Sequence, residues 1–234
     1  MAKDDFGKLS VNVRRFLINY TVRFIFGALV IYSCWIPLQK MEGWFSWHII
    51  LCTFGYIPLM AESIMLFVGD ELWSRQLSRK SKYMVHGILV SVGTFFTIVG
   101  NALVFRYLSP GYHLYTAHGI TGLVSMIILI ISLFLGYAVN YSDQVRRFIP
   151  MRPVWYKLIH NVVGMLGYAI GIASLCFGYY TRWFKYYYPR EESRIVAVVF
   201  TILVSLWSLN GALVSAYNQL KNLLCQKSSV SELQ

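Results

Sequence analysis

Four of the five histidines in this chain occupy four consecutive apolar stretches, one in each stretch and close to its start. They are His48, His86, His118 and His160. Imidazole can take up or release a proton near neutral pH, and it is the commonest metal ligand among side chains. An ionisable side chain at membrane depth is rare, and it usually has both a function and a partner. The spacing therefore predicts that these four imidazoles carry the chemistry of the protein.

The elements that position these histidines are six long apolar segments. The chain has 234 residues, of which 57% are hydrophobic and 13% charged, and its mean hydropathy is +0.53. The segments cover about 16–38, 45–68, 84–105, 117–140, 158–181 and 195–217. Each has about the 20 residues that cross a bilayer as a helix, and backbone groups in lipid must be satisfied within the segment. The sequence predicts an all-α membrane protein with six transmembrane helices and one domain over residues 1–234.

Alternation of the helices sorts the histidines by depth. Segments 2 and 4 begin at one membrane surface, and segments 3 and 5 begin at the other. His48 and His118 therefore share one depth, and His86 and His160 share the other. Segments 1 and 6 carry no histidine, so we expect segments 2 to 5 to form a four-helix core with segments 1 and 6 at its periphery.

Each histidine begins a stripe of small residues spaced as one helix face. The stripe after His160 comprises Gly164, Gly167, Gly171, Ser174 and Gly178. Two imidazoles at one depth, surrounded by glycines, suit a flat macrocycle whose iron takes two axial nitrogens. We interpret the stripe as a slot for haem. In the alternative interpretation the histidines hydrogen-bond neighbouring helices and the small residues serve close packing. One zinc centre fits poorly, because zinc takes its ligands at a single point.

The net charge of +11 is distributed along the chain as a topology signal. Fifteen of the 21 basic residues precede or open segment 1, or lie in the second and fourth loops or in the tail. Basic residues accumulate on the cytosolic side of membrane proteins, so both termini are predicted to be cytosolic. The distribution favours a lipid bilayer, not nucleic acid, as the partner of the basic residues.

Four stretches of the chain resemble the cytochrome b561 family, and specifically its short single-domain animal branch. They are "FSWHIILCTFGYIPLMAE" (45–62), "LSRKSKYMVHG" (77–87), "HLYTAHGITGL" (113–123) and "YKLIHNVVGMLGYAIGIASL" (156–175). The resemblance covers essentially the whole chain and implies six helices with two b-type haems. It implies that His48 and His118 ligate the non-cytoplasmic haem, and that His86 and His160 ligate the cytoplasmic haem.

The resemblance also implies a reaction, in which cytosolic ascorbate gives single electrons to monodehydroascorbate or a ferric chelate across the membrane. Two departures concern substrate contacts. Gly119 and Ile120 follow His118 where better-studied members have Ser-Trp, and "FVGDELWSRQ" (67–76) replaces their arginine motif. Family analogy further suggests a homodimer in an internal membrane, either endoplasmic reticulum or vesicles.

Ascorbate is an anion at neutral pH, so cations near the cytosolic haem are the candidates for binding it. The candidate cations are Arg79, Lys80, Lys82, Arg152 and Lys157, and Tyr156 beside them is a further candidate for substrate contact. Among these we select Lys82 and Arg152 for a direct catalytic role. In the alternative interpretation the cations only set topology and anchor phospholipids.

On the far side, His113 is the remaining histidine and lies five residues before His118. It is a candidate for proton uptake at the acceptor or for a hydrogen bond to a haem propionate, or it is an exposed loop residue. Tyr115 and Arg106 are further candidates near that haem. Two other functions remain open from sequence: a quinol-linked di-haem subunit, and a haem-free six-helix transporter or interaction protein.

Overall fold

The computed structural model describes residues 2–41, 43–67 and 72–231. These ranges consist of helices, turns and loops and contain no strands. Six helices in these ranges are long and apolar enough to cross a membrane. They are α1 (Ala2–Lys40), α2 (Trp44–Met65), α3 (Arg79–Tyr107), α4 (Ala117–Asn140), α5 (Pro153–Gly178) and α6 (Glu191–Ser231). The all-α, six-span prediction is confirmed. Some residues used in the sequence predictions lie outside the described part of the chain. They are the side chains of Lys3, Lys8, Arg15 and Lys227 from the charge pattern, and residues 68–71 of the segment that departs from the family.

The helix ends agree with hydropathy except where charged residues lie inside a helix. The span predicted at 117–140 is found at Ala117–Asn140. By contrast, α3 begins at Arg79, five residues before the predicted position, because the Ser78 side chain accepts a hydrogen bond from the Ser81 amide and caps the helix. The basic residues that precede His86 therefore belong to the first two turns of α3, where long side chains can reach the polar surface.

The middle of α2 is widened into a π-helical segment at Gly55–Met60, which contains Pro58. Proline lacks an amide hydrogen and clashes with the preceding turn of an α-helix. The wider turn lets the span continue through this proline to Met65. The segment also places Tyr56 in the core, where the ring is only 4% exposed.

The four central helices form two closely packed pairs, α2 with α3 and α4 with α5. A methyl group added at Gly93 of α3 would lie 3.0 Å from the Gly55 carbonyl oxygen of α2. One added at Gly167 of α5 would lie 3.1 Å from the Ile128 side chain of α4. Small residues at these crossings allow the close approach that drives helix association in membranes.

The outer helices α1 and α6 are attached to this arrangement by polar side chains. Arg23 of α1 forms a two-point ion pair with Glu62 of α2, with N–O distances of 2.6 and 3.0 Å. The indole of Trp207 on α6 donates to the Asn19 side chain at 3.0 Å. Packing alone defines the rotation of an apolar helix about its own axis only weakly, and such hydrogen bonds fix it.

The connections between spans are short and reverse the chain direction each time. Gly43, with φ +74°, makes the turn from α1 into α2, and the Thr116 side chain caps the start of α4. Consequently α3 and α5 begin at the same end of the bundle. We call this the basic end, since Arg79, Lys80, Lys82, Arg152 and Lys157 lie there. The end where α2 and α4 begin is called the opposite end.

Candidate functional site

The four histidines lie in two pairs, one towards each end of the bundle. The ring centres of His48 and His118 are 5.9 Å apart, with planes at 77°. Those of His86 and His160 are 6.2 Å apart, with planes at 89°. Two imidazoles bound to opposite sides of one metal ion by bonds of about 2 Å have ring centres about 6 Å apart. The geometry thus fits a metal between the members of each pair, although their role as haem ligands stays a prediction.

Every one of the four imidazoles is held by a main-chain carbonyl on the neighbouring helix. The Nδ1–O distances are 3.0 Å for His48 to Gly100, 2.9 Å for His86 to Ser63, 2.8 Å for His118 to Ser174 and 3.0 Å for His160 to Ser132. Because a carbonyl oxygen only accepts, Nδ1 carries the proton in each ring, and the neutral ring keeps its lone pair at Nε2. Metal-binding histidines are oriented by this kind of bond.

These hydrogen bonds follow the division of the bundle into two halves. The histidines of α2 and α3 each donate to the other of these two helices, and those of α4 and α5 do the same. Each histidine then faces a histidine from the other half, so both pairs lie at the seam between the halves. Along α4, Ser132 comes 14 residues after His118, about 21 Å at 1.5 Å per residue. The pairs therefore lie at clearly different depths.

The expectation that the glycine stripe of α5 lines an open slot is wrong for its central residues. A methyl group at Gly164 would lie 3.0 Å from the Ser132 hydroxyl oxygen, and one at Gly171 would overlap the Tyr56 ring. These glycines permit close helix packing. Only the last glycine of the stripe approaches a candidate ligand, since a methyl group at Gly178 would lie 3.3 Å from His118 Cε1.

A glycine of α4 lies beside a histidine of the second pair in the same way. A methyl group at Gly136 of α4 would lie 3.1 Å from His160 Cε1. Glycines beside the two imidazoles thus allow the rings to lie against the backbone of the partner helix, with Nε2 directed away from the hydrogen-bonded side. The proton on each Nδ1, the spacing of the rings and the glycines beside them all fit a group held between paired imidazoles.

A small cavity of about 50 Å³, open on one side, adjoins the first pair at the opposite end. Its walls include Ser33, Phe45, His48, Cys52, His118, Gly178, Tyr179, Thr181 and Phe184. Phe184 stacks on Tyr188, whose hydroxyl donates to the Tyr32 carbonyl at 2.6 Å. Burial raises the pKa of Tyr188 to about 12. The wall behind Phe184 is therefore a fixed aromatic cluster.

No group of three or more His, Cys, Asp or Glu side chains converges on one point in the part of the chain that the structure describes. Within the described residues, the four membrane histidines form the two imidazole pairs. Two ligands on opposite sides suit a metal whose remaining positions are filled by a macrocycle.

A larger and more polar cavity opens at the basic end, with a volume of about 480 Å³. Arg79 of α3 and Lys157 of α5 line it, together with Phe67. The Phe67 ring lies edge-on to the His86 ring, with centres 5.3 Å apart. The cavity is thus separated from the second histidine pair by one side chain.

Of the six residues predicted to contact a donor, two line this cavity and four do not. Arg79 and Lys157 line the cavity, whereas Lys80, Lys82, Arg152 and Tyr156 are not among its lining residues. Lys80 and Arg152 are exposed at the same end of the bundle, and Lys82 is half-buried. Tyr156 is 4% exposed, and its hydroxyl donates to the Ile149 carbonyl. We therefore assign Tyr156 to the anchoring of the fourth loop.

The candidates at the opposite end lie in the loop before α4. His113 Nε2 donates to the Leu108 carbonyl at 2.8 Å, and the imidazole packs against Phe105 with ring centres 5.0 Å apart. Tyr115 is 81% exposed, and neither residue lines the cavity beside His48. The guanidinium of Arg106 lies over the Tyr107 ring.

Sequence reasoning missed one wall of the cavity at the basic end, because α6 carries no histidine. This wall is formed by Ser215, Asn218, Gln219 and Asn222. Their spacing of three, four and seven residues places them on one helix face. Four polar residues at that spacing near the end of an apolar helix are a signal that could have been read from the sequence.

Comparison with known proteins identifies the family. The sequence model named "Eukaryotic cytochrome b561" matches residues 47–185, which is more than half of the chain. The chain belongs to the eukaryotic cytochrome b561 family. It is also 30% identical over 142 residues to "Transmembrane reductase CYB561D2" of Mus musculus and of Homo sapiens.

The match to these relatives takes up 60% of this chain and 63% of theirs, so it spans less than two thirds of their length. No solved structure gives a significant match. Family membership and the six apolar helices together establish a multi-pass membrane protein. Haem binding is a general property of the family.

Proposed function

We propose that this protein is a transmembrane di-haem oxidoreductase. It would pass single electrons from ascorbate at the basic end to monodehydroascorbate or a ferric chelate at the opposite end. The observation that carries the proposal is the placement of two imidazole pairs at two depths, with ring centres 5.9 and 6.2 Å apart. Donor and acceptor can then remain on separate sides of the membrane.

In this proposal, His48 and His118 hold one b-type haem, and His86 and His160 hold the other. When bound, haem supplies reversible one-electron chemistry. The carbonyl acceptors on neighbouring helices keep each Nδ1 protonated and leave the lone pair of Nε2 for a metal, and such bonds raise the basicity of a ligand. Two imidazoles for each haem would suit electron transfer without binding of small molecules.

The donor end is supported by charge and access. Ascorbate carries one negative charge, and Arg79 and Lys157 line a cavity open to water at the basic end. Lys80, Lys82 and Arg152 add positive charge at the same end of the bundle, which raises the local concentration of an anion. Phe67 contacts both this cavity and His86, so a donor bound there is one side chain from His86.

The acceptor end is less specific in its chemistry. The cavity beside His48 has walls that are mostly apolar and aromatic. His113 and Tyr115 lie in the neighbouring loop, and we retain them as candidates for acceptor contact and for proton uptake. A ferric chelate needs only access for electron transfer, whereas monodehydroascorbate also takes up a proton once it is reduced.

Orientation and assembly form part of the same proposal. The basic end faces the cytosol with both termini, the protein resides in an internal membrane such as endoplasmic reticulum or vesicles, and two copies form a homodimer. The excess of basic side chains at the donor end supports this orientation. It also presents the donor cavity to the compartment in which ascorbate is abundant.

The proposal is tested in liposomes that contain the haem-loaded protein, with ferric chelate trapped inside and ascorbate added outside. We expect internal iron to be reduced only by molecules whose basic end faces outward. Lys157→Gln should raise the KM for ascorbate severalfold, because it removes a cation from the cavity. Lys185→Gln, at the opposite end, is the matched control and should leave it unchanged.

Two results would contradict the proposal. Failure of ascorbate to reduce the haem in wild-type protein excludes it as the donor. Reduction by a quinol but not by ascorbate would favour a quinol-linked cytochrome subunit.

A further inference from the structure

The cavity at the basic end has two chemically different walls. One wall is cationic, with Arg79 from α3 and Lys157 from α5. The other comes from α6 and is neutral but rich in hydrogen-bonding groups: Ser215, Asn218, Gln219 and Asn222. A site that only concentrated anions would need no such wall, because charge alone raises their local concentration.

The neutral wall has unused hydrogen-bonding capacity. Gln219 donates from Nε2 to the Ser215 hydroxyl at 3.1 Å. Its Oε1 is buried and accepts no hydrogen bond from any residue that the structure describes. Buried acceptors in native proteins are normally satisfied, and this oxygen can accept from a bound molecule only after the Gln219 side chain turns into the cavity.

Asn218 and Asn222 lie on the same face of α6 and also line the cavity. Both side chains are exposed. Each amide both donates and accepts, so the pair can hydrogen-bond hydroxyl groups in either direction. Site discrimination is strongest where a ligand hydroxyl pairs with polar groups that would otherwise remain unsatisfied.

We propose that α6, through Asn218, Gln219 and Asn222, forms the recognition wall of the donor site and selects a small polyhydroxylated anion. This inference rests on the proposed function, since it concerns the donor cavity of that reaction. The cations of α3 and α5 bind the negative charge, while the amides of α6 bind the hydroxyl groups. The outermost helix thereby becomes part of the substrate site.

The test uses haem-loaded full-length protein in detergent and stopped-flow reduction by ascorbate. Asn222→Asp places a negative charge in the cavity and should raise the KM for ascorbate about tenfold at low ionic strength. Lys221→Gln makes the same change in net charge at the same end of α6, but Lys221 does not line the cavity. This control should alter the KM less than about twofold, because its side chain does not line the cavity and the attraction between charges falls with distance.

Two further measurements distinguish recognition from damage. Reduction of Asn222→Asp by a small uncharged hydroquinone should proceed at the wild-type rate. Asn222→Ala, which adds no charge, should raise the KM for ascorbate severalfold and leave kcat near its wild-type value. Haem content and the reduced-minus-oxidised spectrum should match the wild type in both variants.

Each other outcome has a definite meaning. An unchanged KM for Asn222→Asp, in protein whose wild type is reduced by ascorbate, overturns the role of α6 and leaves the proposed function standing. Loss of haem or a shifted spectrum in Asn222→Asp assigns this wall to a haem propionate and also overturns the inference. A wild-type protein that ascorbate does not reduce at all refutes the proposed function itself.

Discussion

Replacement of Gly171 by alanine should destabilise the protein, although alanine is the better helix former. Gly171 of α5 faces the buried Tyr56 of α2 and the Ser125 hydroxyl of α4. A methyl group there would overlap Tyr56 Cε1 and lie 2.5 Å from Tyr56 Cζ and 2.7 Å from Ser125 Oγ. Carbon atoms in contact are normally about 3.5–4.0 Å apart. The tyrosine ring would therefore have to move by roughly 1 Å or more.

The cost of that movement follows from the contacts of Tyr56. Its hydroxyl hydrogen-bonds Ser125 at 2.7 Å, and Ser125 donates to the Gly167 carbonyl at 2.6 Å. Overpacking costs about 1–3 kcal/mol, and loss of one hydrogen bond costs about 1 kcal/mol. The gain in helix propensity is at most about 1 kcal/mol. We expect Gly171→Ala to lower the free energy of unfolding by about 2–3 kcal/mol.

The assay is equilibrium unfolding in mixed detergent micelles, followed by circular dichroism. Gly27→Ala is the matched control, because Gly27 also lies in a spanning helix and a methyl group there meets nothing within 4 Å. This control should be neutral or slightly stabilising. Equal stability of the two variants would refute the argument that Gly171 is required for close packing.

Two further predictions concern the polar contacts of α1. Arg23→Gln should lower the free energy of unfolding by about 1–3 kcal/mol, because the partly exposed Glu62 carboxylate loses its two-point partner in an apolar segment. Adding Glu62→Gln should recover part of that loss in the same unfolding assay. Below pH 10, Tyr188 is neutral in both folded and unfolded states, so its contribution to the free energy of unfolding should not change with pH. That contribution should fall between pH 10 and 12, because only the unfolded chain ionises at the lower pKa. Tyr188→Phe should lower the free energy of unfolding by about 1 kcal/mol at pH 7, because it removes the hydrogen bond to the Tyr32 carbonyl. The same variant should lose less stability than the wild type above pH 10.

Hydropathy predicted the spans because transfer into lipid depends on local composition alone. The same one-dimensional signal placed the start of α3 at 84, since it cannot tell a charged loop from a charged first helical turn. The structure begins this helix at Arg79. The π-helical segment at Gly55–Met60 was not predicted, because Pro58 only indicates that the helix is perturbed there, not how the chain accommodates it.

The alternation of helix direction was sufficient to predict which histidines share a depth. It could not identify the carbonyl groups that hold Nδ1, since those depend on how each helix is rotated against its neighbour. The glycine stripe was ambiguous for a related reason. A missing side chain leaves room equally for a cofactor and for another helix, and at Gly164 and Gly171 the neighbouring helix occupies that room.

The proposed donor site was predicted from charge, and the charged residues account for only part of the lining of that cavity. Arg79 and Lys157 were found because they precede His86 and His160 in sequence. The α6 residues such as Asn218 and Asn222 lie far from any histidine in sequence, and they reach the cavity only because α6 packs against α5 and the end of α2.

The most direct test of the central claim is the number of haems bound per chain in double histidine variants. Haem is quantified by its pyridine complex against protein concentration, with folding verified by circular dichroism. Wild type should bind two haems. His48→Ala combined with His118→Ala removes both ligands of one pair and should leave one haem. His48→Ala combined with His86→Ala breaks both pairs and should leave none. Equal haem content in the two double variants would contradict the pairing.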